Sequence, residues 1–217
     1  NPTINQRGYV SGTATSGANQ YTLDRWRVVT SGQNISFTDS ANVRTVTAPA
    51  GGCEQVVEGL SIVSGTYTLN WTGTATATVG GTAVAKGGNV TLTGGTDATV
   101  KFSSGTFTQV QLELGSVATP FEQRPIGTEL ALCQRYFEVG TSSWFGYAGG
   151  GTGIGAHVSY AATKRAVPTV ATTAFSYTNA SGSTVDKNTI YGFIPYAVTT
   201  ALGGVLIYNN WTSSAEL

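Results

Sequence analysis

Residues 66–79 read T-Y-T-L-N-W-T-G-T-A-T-A-T-V, and no other stretch restricts the fold as strongly. In an extended chain Tyr67, Leu69, Trp71, Gly73, Ala75, Ala77 and Val79 share one side. Thr66, Thr68, Asn70, Thr72, Thr74, Thr76 and Thr78 share the other. Strict period-two alternation is the pattern of a half-buried β-strand, and a helix would scatter these residues around its circumference. The stretch is long for one strand, so Gly73 is expected to mark a bend or bulge. Gly80-Gly81 then supplies a two-residue turn, Gly87-Gly88 a second and Gly94-Gly95 a third break. Val100 and Phe102 continue one face, and Val110, Leu112 and Leu114 alternate with Gln109, Gln111 and Glu113. Short strands divided by glycine turns predict an all-β, antiparallel sandwich or barrel.

Composition narrows the function classes. The chain has 217 residues, a net charge of zero and only 10% charged residues, against roughly 25% in ordinary domains. No Lys/Arg cluster suggests a nucleic-acid surface, and no apolar run is long enough to predict membrane insertion. The 29 glycines have no period of three, which excludes collagen. No methionine occurs, the first residue is Asn1 and no basic-then-apolar leader is present, so a fragment or processed product is expected. Cys53 and Cys133 read first as two small buried side chains, with a single disulfide as the other reading. Two cysteines and the lone His157 fall short of a zinc site, and no metal or cofactor is expected.

The best helical pattern spans 128–139. Thr128 is placed to cap it, Glu129 sits in its first turn, and Leu130, Cys133 and Phe137 share a stripe. Gly140 is the expected stop. Pro125 and Gly127 read as a linker. The chain therefore divides into 1–125 and 126–217. Beyond Gly140, residues 149–153 form a glycine-rich loop. Aromatic residues thicken there, among them Trp144, Phe145, Tyr147, Phe175, Tyr196, Tyr208 and Trp211. Val205, Leu206, Ile207 and Tyr208 are expected in a buried strand.

Three stretches carry a family resemblance. The opening N-P-T-I-N-Q-R-G with Y-T-L-D-R-W-R-V at 21–28 resembles the start of a jelly-roll, carbohydrate-binding-like module of bacteriophage tail fibres. The run Q-V-Q-L-E-L-G-S-V-A-T-P-F-E-Q-R-P-I-G-T-E-L-A-L-C-Q-R-Y-F at 109–137 resembles the end of that module and its junction to the next domain. W-T-S-S-A-E-L at 211–217 is similar to the closing residues of many tail fibre proteins. The resemblance implies a jelly-roll sandwich followed by a small β-rich tip domain that begins with a short helix. It implies a homotrimer at the distal end of a virion fibre, attached to an envelope glycan or other bacterial receptor. It also implies assembly in the reducing bacterial cytoplasm, hence free thiols. The stretch 140–210 matches no named family.

Trp26, in D-R-W-R, is expected in a core-facing strand with its charges paired near an edge; a sugar platform is the other reading. Polysaccharide cleavage needs paired carboxylates. Glu54 and Glu58 are nearest in sequence, but in a strand they stand about 13 Å apart on one face, too far for either usual geometry. Glu122 and Glu129 lie in the junction. His157 has Ser159 and Ser142 near it in sequence but no nucleophile elbow, and 149–155 lacks the Lys-Ser/Thr of a phosphate loop. Lys164 and Arg165 have no support beyond charge. Aromatic residues suit sugar faces better, with short polar groups for hydroxyls. The expected binding residues are Trp144, Tyr147, Thr141 and Ser142 beside the glycine loop, with Asn209 and Trp211 near the end. The expectation is a non-enzymatic receptor-binding protein; a tailspike depolymerase or a purely structural virion part are the rivals.

Overall fold

A computed structural model describes residues 2–41 and 43–217, apart from the side chains of Ala174, Phe175 and Ser183. Asn1, which opens the first resemblance, and the Phe175 ring, counted among the distal aromatics, lie outside the described residues. The chain divides into two units, Asn1–Pro125 with Leu217 and Ile126–Glu216. Among the described residues no helix is long and apolar enough to cross a membrane.

The first unit holds β1 (Gln20–Tyr21), β2 (Arg27–Val28), β3 (Ser36–Ser40), β4 (Val43–Ala48), β5 (Cys53–Val57) and β6 (Gly65–Gly73). It continues with β7 (Thr76–Val79), β8 (Thr82–Val84), β9 (Gly88–Leu92), β10 (Ala98–Ser103) and β11 (Gly105–Leu114). They form antiparallel sheets of order β1-β2-β5-β10-β7-β8 and β3-β4-β11-β6-β9. One apolar cluster draws on both sheets, as in a sandwich. At its centre the Phe102 and Phe107 rings stack at 4.4 Å, with Trp26 4.9 Å from Phe107 and Trp71 edge-on to Phe102 at 5.3 Å. The fold class is all-β and sandwich-like, as the alternation predicts.

Gly73 marks a corner. At φ +130° it ends β6 in one sheet, and β7 begins in the other. A Cβ here would overlap the Thr106 carbonyl. The return passage uses the same corner: Gly105, at φ +132°, begins β11 just after β10 ends, and its Cβ would come within 2.8 Å of the Ala75 nitrogen. The Thr106 carbonyl accepts from Thr74 N and Ala75 N at 2.8 and 2.9 Å. Two backbones thus cross where only glycine fits. The alternation of 66–79 survives the corner, because Tyr67, Leu69, Trp71, Ala75, Ala77 and Val79 are all buried. Thr68 breaks it. Its hydroxyl, buried on the threonine face, donates to Gly115 O at 2.7 Å and bonds Asn89 Oδ1 at 2.8 Å.

Gly80-Gly81 closes the β7–β8 hairpin with both residues at positive φ, as a two-residue turn demands. Gly87-Gly88 is a different device: β9 pairs with β6, not β8, so the chain changes sheet there. The D-R-W-R expectation of a continuous strand is corrected. Asp24 and Arg25 lie in the β1–β2 turn, Arg25 at φ +67°, and only Arg27 begins a strand. Trp26 is buried in the core, so it offers no sugar platform. In β11, Gln109 at φ +51° sits at a bulge between Thr108 and Gln111 and breaks the regular alternation.

The second unit begins with α1 (Ile126–Gln134), directly after Pro125, then β12 (Phe137–Ala148), β13 (Gly153–Gly155), β14 (Val158–Ser159), β15 (Thr169–Thr178), β16 (Ala180–Asp186), β17 (Gly192–Thr199) and β18 (Gly203–Ser214). One sheet has the order β12-β18-β15; in the other, β17 pairs with β13, β14 and β16. Two small clusters fill the interior. One holds Ile154, Ala197, Val205 and Ile207, and the other Tyr160, Phe193 and Trp211.

The helix is shorter than 128–139. Thr128 lies inside it rather than capping it, and Gly140 lies inside β12 rather than stopping a helix. The reason is pairing: all twelve residues of β12 oppose β18, from Phe137↔Ser214 to Ala148↔Gly203. A long ladder outweighs a weak helical stripe, and within the helix itself only Cys133 is buried. A clasp fixes the helix-to-strand turn. Lys164 Nζ donates to the Gln134 carbonyl at 2.5 Å and to Glu138 Oε2 at 2.7 Å, and Glu138 Oε1 accepts Ala161 N at 3.0 Å. Both side chains are buried. Burial pulls the Lys164 ammonium down, against the opposing pull of Glu138, and pushes the Tyr160 phenol up to about 12. Cys53 and Cys133 are both buried and form no disulfide.

Candidate functional site

The sheet β12-β18-β15 sorts the predicted binding residues by parity. Side chains alternate along β12, and each faces the same side as its β18 partner. Ser142↔Asn209, Trp144↔Ile207 and Gly140↔Trp211 fall on the inner face. Trp211 is 5% exposed and packs in the core; Asn209 is buried and accepts from Tyr177 Oη at 3.3 Å; Trp144 packs against the Ile154 cluster. The Trp144 ring lies where a Cβ on Gly146 would stand, and Trp211 does the same at Gly140. The two inner glycines are therefore seats for tryptophans. Asn209 and Trp211 are thus corrected from binding residues to buried ones, and Ser142 and Trp144 to half-buried residues of the inner face.

Thr141 and Tyr147 fall on the outer face and stay exposed. Strand parity adds Phe145, 80% exposed, two residues from Tyr147 at 74%, hence about 7 Å along the strand. Leu206 stands opposite Phe145 and Tyr208 opposite Ser143. Thr141, Ser143, Asn210 and Thr212 on β12 and β18, with Thr173, Ser176 and Thr178 on β15, surround them with short polar groups. Among the described residues, the outward side chains of these strands include no Asp, Glu, Lys or Arg. Phe145 and Tyr147 lie about 26 and 33 Å along β12 from Phe137, toward the end away from α1. Reading 137–148 as a strand would have exposed this grouping in the sequence. Trp144 and Tyr147, expected together beside the glycine loop, point to opposite faces of β12. The Val205–Tyr208 segment likewise splits, with Val205 and Ile207 inside and Leu206 outside.

The neighbouring glycine loop is tied down. The buried Thr199 hydroxyl donates to the Gly149 carbonyl and lies 3.2 Å from the Thr152 carbonyl, while Thr152 N donates back to it at 2.9 Å.

The catalytic candidates do not assemble. Arg27 holds Glu54 Oε1 through Nη2 at 2.7 Å and Nε at 2.8 Å, and Glu58 lies beyond the end of β5 at the following 3-10 turn. His157 Nδ1 is 3.3 Å from Ser159 Oγ, and among the described residues no carboxylate bonds this histidine. Lys164 is committed to Glu138. Among the described residues no group of three potential ligands could hold a metal ion. No family model, curated protein or solved structure matches the chain.

Proposed function

We propose that this chain is the C-terminal region of a bacteriophage tail fibre, and that its second unit attaches the virion to an envelope glycan of the host bacterium. The observation that carries the reading is the uncharged outer face of β12-β18-β15, with two exposed aromatic rings among hydroxyls and amides. Sugar rings stack their C–H faces on aromatic rings, and their hydroxyls need short polar partners. A contiguous exposed apolar patch ringed by such groups is the usual mark of an interaction surface. The tail-fibre assignment rests on the resemblance at 1–8, 21–28, 109–137 and 211–217.

The test is binding of fluorescently labelled protein to a panel of bacterial strains and their envelope fractions. Wild type should stain at least one strain, and Phe145→Ala/Tyr147→Ala should stain it much less while melting at the same temperature. Staining of no strain and no envelope fraction would defeat the reading. Reducing sugar released from the bound polysaccharide would favour a depolymerase instead. The reading includes a homotrimer, for which light scattering should give three times the 22.4 kDa chain mass.

A further inference from the structure

The strand glycines of the second unit differ in what faces them; Gly182, though open, lies at φ +56°, where the backbone itself favours glycine. Gly140 and Gly146 are covered by tryptophan rings, Gly153 by the Tyr196 ring and Gly155 by Ile194. Each leaves room for a neighbour. Gly204 does not. It lies in β18, the central strand, directly opposite Tyr147, and a Cβ there would meet nothing within 4 Å. Its φ is outside the left-handed region, so the backbone does not demand glycine either. Glycine inside a strand ordinarily weakens it, and it often marks a place where something else approaches closely. A cross-strand aromatic commonly folds over an opposing glycine. Tyr147 does not, and stays 74% exposed.

We infer that the gap over Gly204 beside Tyr147 is a subsite for one uncharged pyranose unit of a polysaccharide, an inference that rests on the attachment reading above. The floor is the Gly204 backbone. Tyr147 is paired with it about 5 Å across the strands, and Leu206 and Phe145 stand one step further along. The Tyr147 hydroxyl has no hydrogen-bond partner among the described residues and is available to a sugar hydroxyl. Asn179 Nδ2 donates to the Gly204 carbonyl at 2.7 Å, which holds the strand in place at the gap. An apolar wall with a phenol at its edge fits the two-sided chemistry of a pyranose, whose C–H face stacks while its hydroxyls bond. The absence of charge on the surrounding face selects against uronic acids and phosphorylated sugars, which would lose hydration without gaining an ion pair.

The experiment probes an array of purified bacterial surface polysaccharides, neutral and anionic, with wild type, Gly204→Val, Gly204→Ser and Tyr147→Ala. Thermal melting and sedimentation accompany each variant. Wild type should bind neutral polysaccharides, with little dependence on salt. Gly204→Val fills the gap and should weaken binding at least tenfold at unchanged melting temperature. Tyr147→Ala should weaken it about five- to thirty-fold. If Gly204→Val misfolds, Gly204→Ser and Tyr147→Ala decide. Folded gap-filling variants that bind as wild type does would overturn the subsite and leave the attachment reading standing. Binding of anionic polysaccharides alone would also overturn it. A Gly204→Val variant that changes mass in sedimentation but not polysaccharide binding would make the face a contact between copies, against the inference. Wild type that binds no polysaccharide, on a strain panel it also fails to stain, would remove both readings.

Discussion

The first unit places Trp26, Trp71, Phe102 and Phe107 in one cluster between two sheets, with ring centroids 4.4 to 6.0 Å apart. The second unit divides its aromatics. Tyr160, Phe193 and Trp211 fill a small core, while Phe145 and Tyr147 stand outside on a sheet face. Both are built from antiparallel strands of similar chemistry, so composition does not account for the contrast. Layer width contributes: the first unit has sheets of six and five strands, whereas the second places three strands in the sheet that carries Phe145. A narrower sandwich encloses fewer large side chains, and the interior of the second unit also holds a buried ion pair. An outer aromatic pair in such a unit contributes little to the fold.

Substitutions can break that comparison. The largest effect is expected at Phe102, which touches Trp26, Trp71 and Phe107; Phe102→Ala should cost about 3–5 kcal/mol in chemical denaturation. Phe145→Ala, an equal truncation on the outer face, should cost less than about 0.5 kcal/mol. Equal losses at the two sites would mean that the outer ring is part of a core or an interface.

A loss of similar size is expected when the clasp of the second unit is cut on one side. Lys164→Met strands Glu138 in a buried site and should cost about 3–5 kcal/mol, whereas Lys164→Met with Glu138→Leu should recover most of it. A double-mutant cycle on urea midpoints measures the difference. No recovery in the double variant would show that the Gln134 and Ala161 bonds, rather than the charge pair, hold the turn.

Glycine substitution should sharpen the contrast next. Gly73→Ala puts a side chain at φ +130° and into the Thr106 backbone, and should cost about 1–3 kcal/mol or more. Gly204→Ala, on the open face, should leave stability level or slightly raised. Thiol chemistry gives a smaller readout. Burial pushes the Cys53 thiol up, so neither it nor the buried Cys133 should react with an aromatic disulfide reagent before denaturant is added.

The smallest effect concerns Glu113. Thr119 donates to it through N at 2.8 Å and Oγ1 at 2.6 Å, which holds its carboxyl below the usual range. A depressed folded value means that the stabilisation is present above the unfolded pKa of about 4.3 and is lost as pH falls through the folded value. The Thr119 amide proton resonance should shift with that titration. A shift centred at or above the ordinary carboxylate value would show that the contact does not form in solution.

Much of the first unit was legible in residue order. The threonine ladder of 66–79 named its buried side correctly at Tyr67, Leu69, Trp71, Ala75, Ala77 and Val79, because a strand side chain has only two directions. Gly73 and Gly80-Gly81 announced the breaks. What Gly73 did there was not legible: a corner needs a second passage to cross it, and Gly105 lies 32 residues away. Legibility dropped where two periods competed. Residues 128–139 carry a helical stripe, yet 137–139 gain more by pairing with 212–214. The partner that decides is more than 70 residues distant in the chain, beyond the reach of any local pattern.

The candidate site follows the same division. Residue order determined that the second unit is sparsely charged, aromatic and rich in hydroxyls and glycine. Only the tertiary structure decided which aromatics are available. Register sends Trp144 and Trp211 into the core and Phe145 and Tyr147 out of it, since a shift of one residue exchanges every side chain between faces. The same register sets Tyr147 beside Gly204, two residues separated by 57 positions whose approach comes from strand pairing alone.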